Sequence, residues 1–269
     1  MNVPQIHGAQ AREVWRRLGA VTDPELDEPI TDMGFVERVD VLQGTDVEVD
    51  FRLPTYWCSP NFAFLMADGI SRAVRALPWV ERVKVRLQDH CFGDEVNAGV
   101  NGDKPFEDVF ARLTEGGDLD EVREKFREKA FMRRQEPLII ALRAMGRSDA
   151  QIAALTLEQF DRISFATHPD ACAQKPRYRE ILIDDGLACL PDDPVFVDYS
   201  GAPVEAEQMT EHLRRLRAIR INMEFNGAMC RGLLATRYKE VDMAGREPEL
   251  IDFIAGRVPP RTSPESRTS

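Results

Sequence analysis

The chain has 269 residues, of which 43% are hydrophobic and 30% charged, and its net charge is −11. This composition is typical of a soluble globular protein, and the length suits two small domains better than one large one. The negative charge opposes a phosphate-binding surface, so nucleic acid is not an expected partner. No apolar run approaches the roughly 20 residues needed to cross a bilayer, and residues 1–10 lack a signal-peptide pattern, so no membrane partner is expected either.

The first hundred residues predict a small α/β unit. Its elements follow from helical or alternating apolar spacing and from turn residues. In chain order they are a helix over 9–18, a turn or helix start at 23–26, strands over 35–42 and 46–53 around a hairpin turn at 43–45, a helix over 60–77 and a strand over 80–87. The predicted fold class is therefore α/β (α+β), with the order α-β-β-α-β in a domain spanning residues 1–102.

Residues 103–256 predict a mainly helical region. Ser148–Gln151 and Thr156–Gln159 match capping boxes that open short helices. The apolar pieces 181–183 and 195–197 are interpreted as two short strands or as ordered loop. A long helix is predicted over 205–239, with Asn226-Gly227 as a candidate break. Residues 257–269 are polar with three prolines, which predicts a disordered tail.

The five cysteines form no CxxC pair and leave an odd count. This argues against a disulfide framework and predicts a reducing compartment, the cytoplasm. Cys172, Cys189 and Cys230 lie in unrelated contexts, and core filling is the favoured interpretation for each.

Cys58 differs, because it lies where a strand pattern gives way to a helix pattern. The partial positive charge and unpaired N–H groups of a helix start favour thiolate, the form that attacks electrophiles or binds metal. Burial as a small apolar side chain is the alternative.

Topology adds Cys91 to the candidate site. A strand–helix–strand crossover in one sheet normally gives parallel strands, so the loops after both strands leave the same edge, where ligands tend to gather. Cys58, His90, Cys91 and Glu95 are then candidates to converge on one iron or zinc ion, with Asp23 or Asp32 supplying a further oxygen. The alternatives are a loop histidine with satisfied hydrogen bonds, and aspartates that serve as cap or turn residues.

Three motifs appear together in this first unit. They are Asp23-Pro24-Glu25-Leu26, then Ile30-Thr31-Asp32-Met33-Gly34-Phe35-Val36, then Thr55-x-x-Cys58-Ser59-Pro60. In this order they resemble the small iron–sulfur cluster assembly domain family, which includes the eukaryotic cytosolic iron–sulfur targeting factor and bacterial accessory proteins of sulfur mobilisation and phenylacetate oxidation. The resemblance covers residues 10 to 90. It implies an α/β fold and a role in maturing or delivering iron centres, with Cys58 as the reactive or ligating cysteine.

The leading hypothesis is thus a metallocentre maturation factor rather than an enzyme. Iron or an iron–sulfur cluster would be held transiently by Cys58 and Cys91, with His90, Glu95 and Asp23 as further candidate metal ligands. The helical region would recognise a client metalloenzyme, with a di-iron oxygenase suggested by family analogy alone; a homodimer stays open. The alternatives are a non-catalytic adaptor or assembly chaperone, and a thiol enzyme with Cys58 as nucleophile and His90 as base. No glycine-rich phosphate loop, nucleophile elbow or HExxH motif supports conventional catalysis.

Overall fold

The computed structural model describes residues 8–111 and 119–237. Internal contacts divide the chain into two compact units. The first unit takes in the described residues up to Leu119 and again from Asn226 onwards, and the second is Asp120–Phe225. The predicted tail over 257–269 lies outside the described residues.

The first unit contains the predicted α-β-β-α-β order. Its elements are α1 (Ala9–Leu18), β1 (Val36–Leu42), β2 (Asp46–Arg52), α2 (Pro60–Arg75) and β3 (Arg82–Gln88). The sheet order is β1-β2-β3, with β1 antiparallel and β3 parallel to β2. Gln43 and Gly44 make the hairpin turn with φ of 53° and 80°, a region that glycine enters without strain. The α/β fold class is confirmed.

Each face of β2 is held differently. Val47, Val49 and Phe51 alternate onto the core and are almost fully buried, as the period of a strand requires. On the other face, the carboxylate of Asp50 accepts hydrogen bonds of 2.8 Å from Arg38 on β1 and Arg86 on β3. Burial raises the pKa of Asp50, but the two arginines outweigh burial and the net pKa is lowered. The ion pairs therefore fasten all three strands together.

Two more helices complete the first unit: α3 (Gly93–Asn101), which the sequence did not predict, and α4 (Phe106–Val109), which lies in the region predicted to be mainly helical. Asn97 and Asn101 accept hydrogen bonds of 2.7 Å and 2.9 Å from backbone N–H groups of β3. Helix α3 thus supplies hydrogen-bond partners to the edge of β3 that is not paired with β2. Phe106 packs against Phe64 of α2, with ring centroids 5.4 Å apart. Because these aromatic contacts belong to the first core, the first unit extends past the predicted boundary at residue 102.

The second unit is helical, as predicted. Its helices are α5 (Leu119–Ala144), α6 (Asp149–Ala153), α7 (Leu157–Arg162), α8 (Pro169–Asp184) and the part of α9 (Met209–Arg237) up to Phe225, with a 3₁₀ turn at Ala206–Gln208. Both predicted capping boxes are confirmed, at Ser148 and Thr156. Of the two apolar segments, 181–183 lies within α8. Segment 195–197 is a loop whose three residues, with Phe196 in the middle, are all buried.

Helix α9 is continuous through Asn226-Gly227, so the candidate break does not occur. The division between the two units falls inside this helix, and its residues from Asn226 to Arg237 belong to the first unit. Within residues 8–111 and 119–237, no helix combines the length and the apolar character that crossing a membrane requires.

Candidate functional site

The loops after β2 and β3 lie side by side at one edge of the sheet. The two strands pair in parallel up to Arg52 and Gln88, so the two loops that follow them leave the sheet at the same level. The backbone N–H of Cys91 donates to the carbonyl of Tyr56 at 2.8 Å. The parallel pairing that topology predicted is therefore present, and the loops that carry Cys58 and Cys91 are in direct contact.

Cys58 lies two residues before the start of α2 and is half-buried against the first core. Burial raises the pKa of its thiol to about 12, and the nearby carboxylates of Asp23 and Glu25 act in the same direction. The backbone N–H of Ser59 acts the other way, but it is outweighed. The expectation of a thiolate at this helix start is therefore wrong for the structure described, because burial and negative neighbours dominate.

His90 links the two loops through both of its ring nitrogens. Its Nε2 lies 2.9 Å from the carbonyl oxygen of Cys58, and its Nδ1 lies 3.1 Å from the backbone nitrogen of Phe92. A carbonyl only accepts and an N–H only donates, so Nε2 carries the proton and the ring is neutral. Burial lowers the pKa of His90, which keeps it neutral. Ligation of a metal by His90 would require breaking one of these two hydrogen bonds.

Asp23 organises the turn before the sheet. Its Oδ1 accepts hydrogen bonds of 2.9 Å from the backbone N–H groups of Glu25 and Leu26. Burial raises the pKa of Asp23 to about 6. These contacts match the turn-residue interpretation, and they also place a carboxylate within electrostatic reach of Cys58.

The remaining predicted ligands, Cys91 and Glu95, are exposed, with Glu95 in the first turn of α3. Across residues 8–111 and 119–237, no group of three or more His, Cys, Asp or Glu side chains is arranged to hold a metal ion. The candidate ligands that lie near one another therefore do not form a complete metal site. Metal ligation stays a prediction for all five of them: Cys58, Cys91, His90, Glu95 and Asp23.

Part of the site comes from α9, which the sequence did not connect with it. Asn226 donates to the carboxylate of Glu25 at 3.3 Å, and Arg237 donates to the carbonyl and carboxylate oxygens of Asp89, both at 2.9 Å. Cys230 is half-buried against the first core, within electrostatic reach of Asp23 and Glu25. No local signal marks these long-range contacts; only the spacing of these residues on one helical face could have suggested them.

Two aromatic side chains next to Cys58 face solvent. Tyr56 is 47% exposed and Trp57 is 75% exposed. The guanidinium of Arg237 lies over the ring of Tyr56, 5.9 Å from its centroid. The indole of Trp57 thus extends outward next to the cysteine instead of being buried over it.

Residues 11–86 match the model of a family described as iron–sulfur cluster assembly protein. The matched stretch contains the turn at Asp23, the whole of β1, β2 and α2, and Cys58. It is less than a third of the chain and ends before His90 and Cys91. The chain therefore contains an iron–sulfur cluster assembly domain, which supports a role in the assembly or handling of such clusters. A search of curated proteins finds no match to the chain.

Proposed function

We propose that this protein holds iron or an iron–sulfur cluster transiently and passes it to a client metalloenzyme, with Cys58 as the cysteine that binds the cargo. One observation carries this proposal: of the five cysteines, only Cys58 lies within the stretch that matches the assembly family. It also lies at the edge of the sheet where the loops after two parallel strands meet, a common position for ligands in α/β domains.

The donor atoms suit this cargo. Iron–sulfur clusters are held mainly by cysteine sulfur, and soft thiolate ligands favour such clusters over hard cations. Because the described residues offer no closed group of three or more ligands, cargo bound at Cys58 would keep positions open for ligands from another molecule. Such an arrangement favours transfer over permanent storage.

The surroundings of Cys58 suit a protein partner. Tyr56 and Trp57 expose large aromatic surfaces directly beside it, and tyrosine and tryptophan are enriched among residues that dominate protein interfaces. We infer that the client docks over this edge, in a reducing compartment such as the cytoplasm. A di-iron oxygenase is the client class that the family resemblance suggests.

A thiol enzyme is not favoured by the contacts of His90. A general base must reach the proton that it removes, whereas Nε2 of His90 faces the carbonyl oxygen of Cys58 and its Nδ1 faces the backbone of Phe92. The histidine therefore supports the fold of the loops and is not aligned with the sulfur.

Anaerobic reconstitution tests the proposal. The purified protein is incubated with ferrous iron and sulfide, desalted, and analysed for bound iron and for visible absorption. We expect wild type and the matched control Cys172→Ala, which removes an exposed cysteine of the second unit, to retain iron, and Cys58→Ala to lose most of it. Tryptophan fluorescence checks that the first unit is folded in Cys58→Ala, and far-ultraviolet circular dichroism checks that the helices of the second unit are folded in Cys172→Ala. Equal iron in Cys58→Ala and wild type would refute the role of Cys58.

A further inference from the structure

The last part of α9 turns one face toward the rest of the first unit. Between residues 226 and 237, the side chains that are not exposed recur at intervals of one, three or four positions, while all the others face solvent. These positions are 226, 227, 230, 231, 234 and 237. Residues with this spacing share one side of a helix. Cys230 lies in the middle of this inward face.

Polar contacts fix the inward face at both ends. Near its start, Asn226 donates to Glu25, and Arg231 forms an ion pair with Glu28. At its end, Arg237 bonds to Asp89 on the loop after β3. Cys230 is therefore held between the turn at residues 23–28 and the loops at the sheet edge.

This position brings Cys230 into the surroundings of Cys58. Both side chains are half-buried and pack against the same core. Each thiol lies within electrostatic reach of the carboxylates of Asp23 and Glu25, and the two thiols lie within electrostatic reach of each other. Cys91 differs: it is exposed, and its loop reaches the Cys58 loop through a backbone N–H instead of through its sulfur.

We propose that Cys230 is the second thiol of the cargo site, so that Cys58 and Cys230 together bind a thiophilic cation such as ferrous iron or one iron of a cluster. This inference rests on the proposed function and assigns it a ligand from outside the matched family stretch. It replaces the pair of Cys58 and Cys91 that the order of strands and loops predicted.

The binding step is an exchange of protons for metal. Each thiol releases its proton to solvent as its sulfur forms a bond to the cation, so two protons leave when one divalent ion binds, and no electron is transferred. Two protein ligands leave the rest of a tetrahedral shell open. Sulfide or a ligand from the receiving protein can then complete the shell.

Cobalt(II) provides a direct test, because thiolate bound to Co²⁺ gives a charge-transfer band in the near ultraviolet. The full chain is titrated anaerobically with Co²⁺ alone. Since each bound thiolate adds to the band, we expect Cys58→Ala and Cys230→Ala each to lose about half of its intensity and the double variant to lose nearly all of it. Cys91→Ala and the control Cys189→Ala should keep the full band.

The outcomes separate this inference from the proposed function. A full band in Cys230→Ala together with a halved band in Cys91→Ala would overturn the inference and leave Cys58 in its proposed role. A wild type without the band, or a band of full intensity in Cys58→Ala, would count against both.

A second measurement uses unmodified wild type and does not depend on the folding of a variant. A short reagent that alkylates two thiols should join the peptides of Cys58 and Cys230, as seen by mass spectrometry. Cross-links that join Cys58 only to Cys91 would contradict the inference.

Discussion

Replacing His90 by alanine should destabilise the first unit. The side chain of His90 ties the carbonyl of Cys58 to the backbone N–H of Phe92. Only 7% of the residue is exposed, so water does not readily replace the lost contacts. If the role of His90 is structural, the substitution lowers the free energy of unfolding. If His90 is a metal ligand, the substitution weakens cargo binding instead.

The expected size follows from the two hydrogen bonds. A typical hydrogen bond contributes about 0.5–1.5 kcal/mol net, and leaving a buried donor or acceptor unsatisfied costs about 1–3 kcal/mol. Both partners of His90 are backbone groups that the substitution leaves in place. We therefore expect His90→Ala to lower the free energy of unfolding by about 2–4 kcal/mol. Cys91→Ala, at the exposed neighbouring position, is the matched control and should change it by less than about 0.5 kcal/mol.

Tryptophan fluorescence is a suitable assay because it reports the first unit alone. The three tryptophans are Trp15, Trp57 and Trp79, and all of them lie in that unit. Urea unfolding followed by their emission gives a midpoint that the second unit does not contribute to directly. A variant His90→Ala with unchanged unfolding but lost cobalt binding would refute the structural role and support ligation instead.

Two further predictions use the same fluorescence assay. Asp50→Asn should lower the free energy of unfolding at pH 7 by about 2–3 kcal/mol, since it leaves two arginines without their buried carboxylate. The pKa of Asp50 is lowered on folding from its ordinary value of 3.8, so its stabilisation is present above that pH and is lost as the pH falls through the folded value; a gap between wild type and variant that stays constant down to pH 2 would contradict this. Gly99→Ala should cost about 1–3 kcal/mol by overpacking, because the added Cβ would lie 2.5 Å from a methyl carbon of Val109. Gly232→Ala is the control, in an exposed helical position with no atom within 4 Å of the added Cβ, and it should instead stabilise the first unit by about 0.5–1 kcal/mol. Equal effects of the two glycine substitutions would show that packing around α3 does not cause the loss of stability in Gly99→Ala.

Local patterns were sufficient to predict most elements of the fold. The alternation in β2 and the capping boxes at Ser148 and Thr156 are read within a few residues, and each element is present. Helix α3 was missed because Asn97 and Asn101 owe their positions to the edge of β3, which is visible only once the sheet exists. The apolar segment 181–183 has the composition of a strand, but it forms the end of α8, where only Leu182 of the three residues is buried; strand propensity alone does not decide the structure of such a segment.

The candidate site was predictable only in part, for the same reason. Cys58 could be found because strand, helix start and family motif coincide at one place in the sequence. The burial that raises its pKa could not be predicted, since it depends on the tertiary packing of Cys58 against the first core. Cys230 lies far from Cys58 along the chain and has no motif around it, so core filling was the reasonable interpretation of an isolated cysteine.

Helix α9 adds contacts to the assembly domain from outside the stretch that matches the family. The matched stretch ends at residue 86, yet Asn226 and Arg237 contact the turn and the loop that border Cys58. A cation held by Cys58 and Cys230 together would bind only the state in which this helix segment is docked, and it would therefore stabilise docking by its own binding free energy. The converse follows from linkage: any partner that draws the segment away would weaken the hold on the cargo by the same factor. On the proposed function, a contact of the client with α9 would thus drive release, without any change in the chemistry at Cys58.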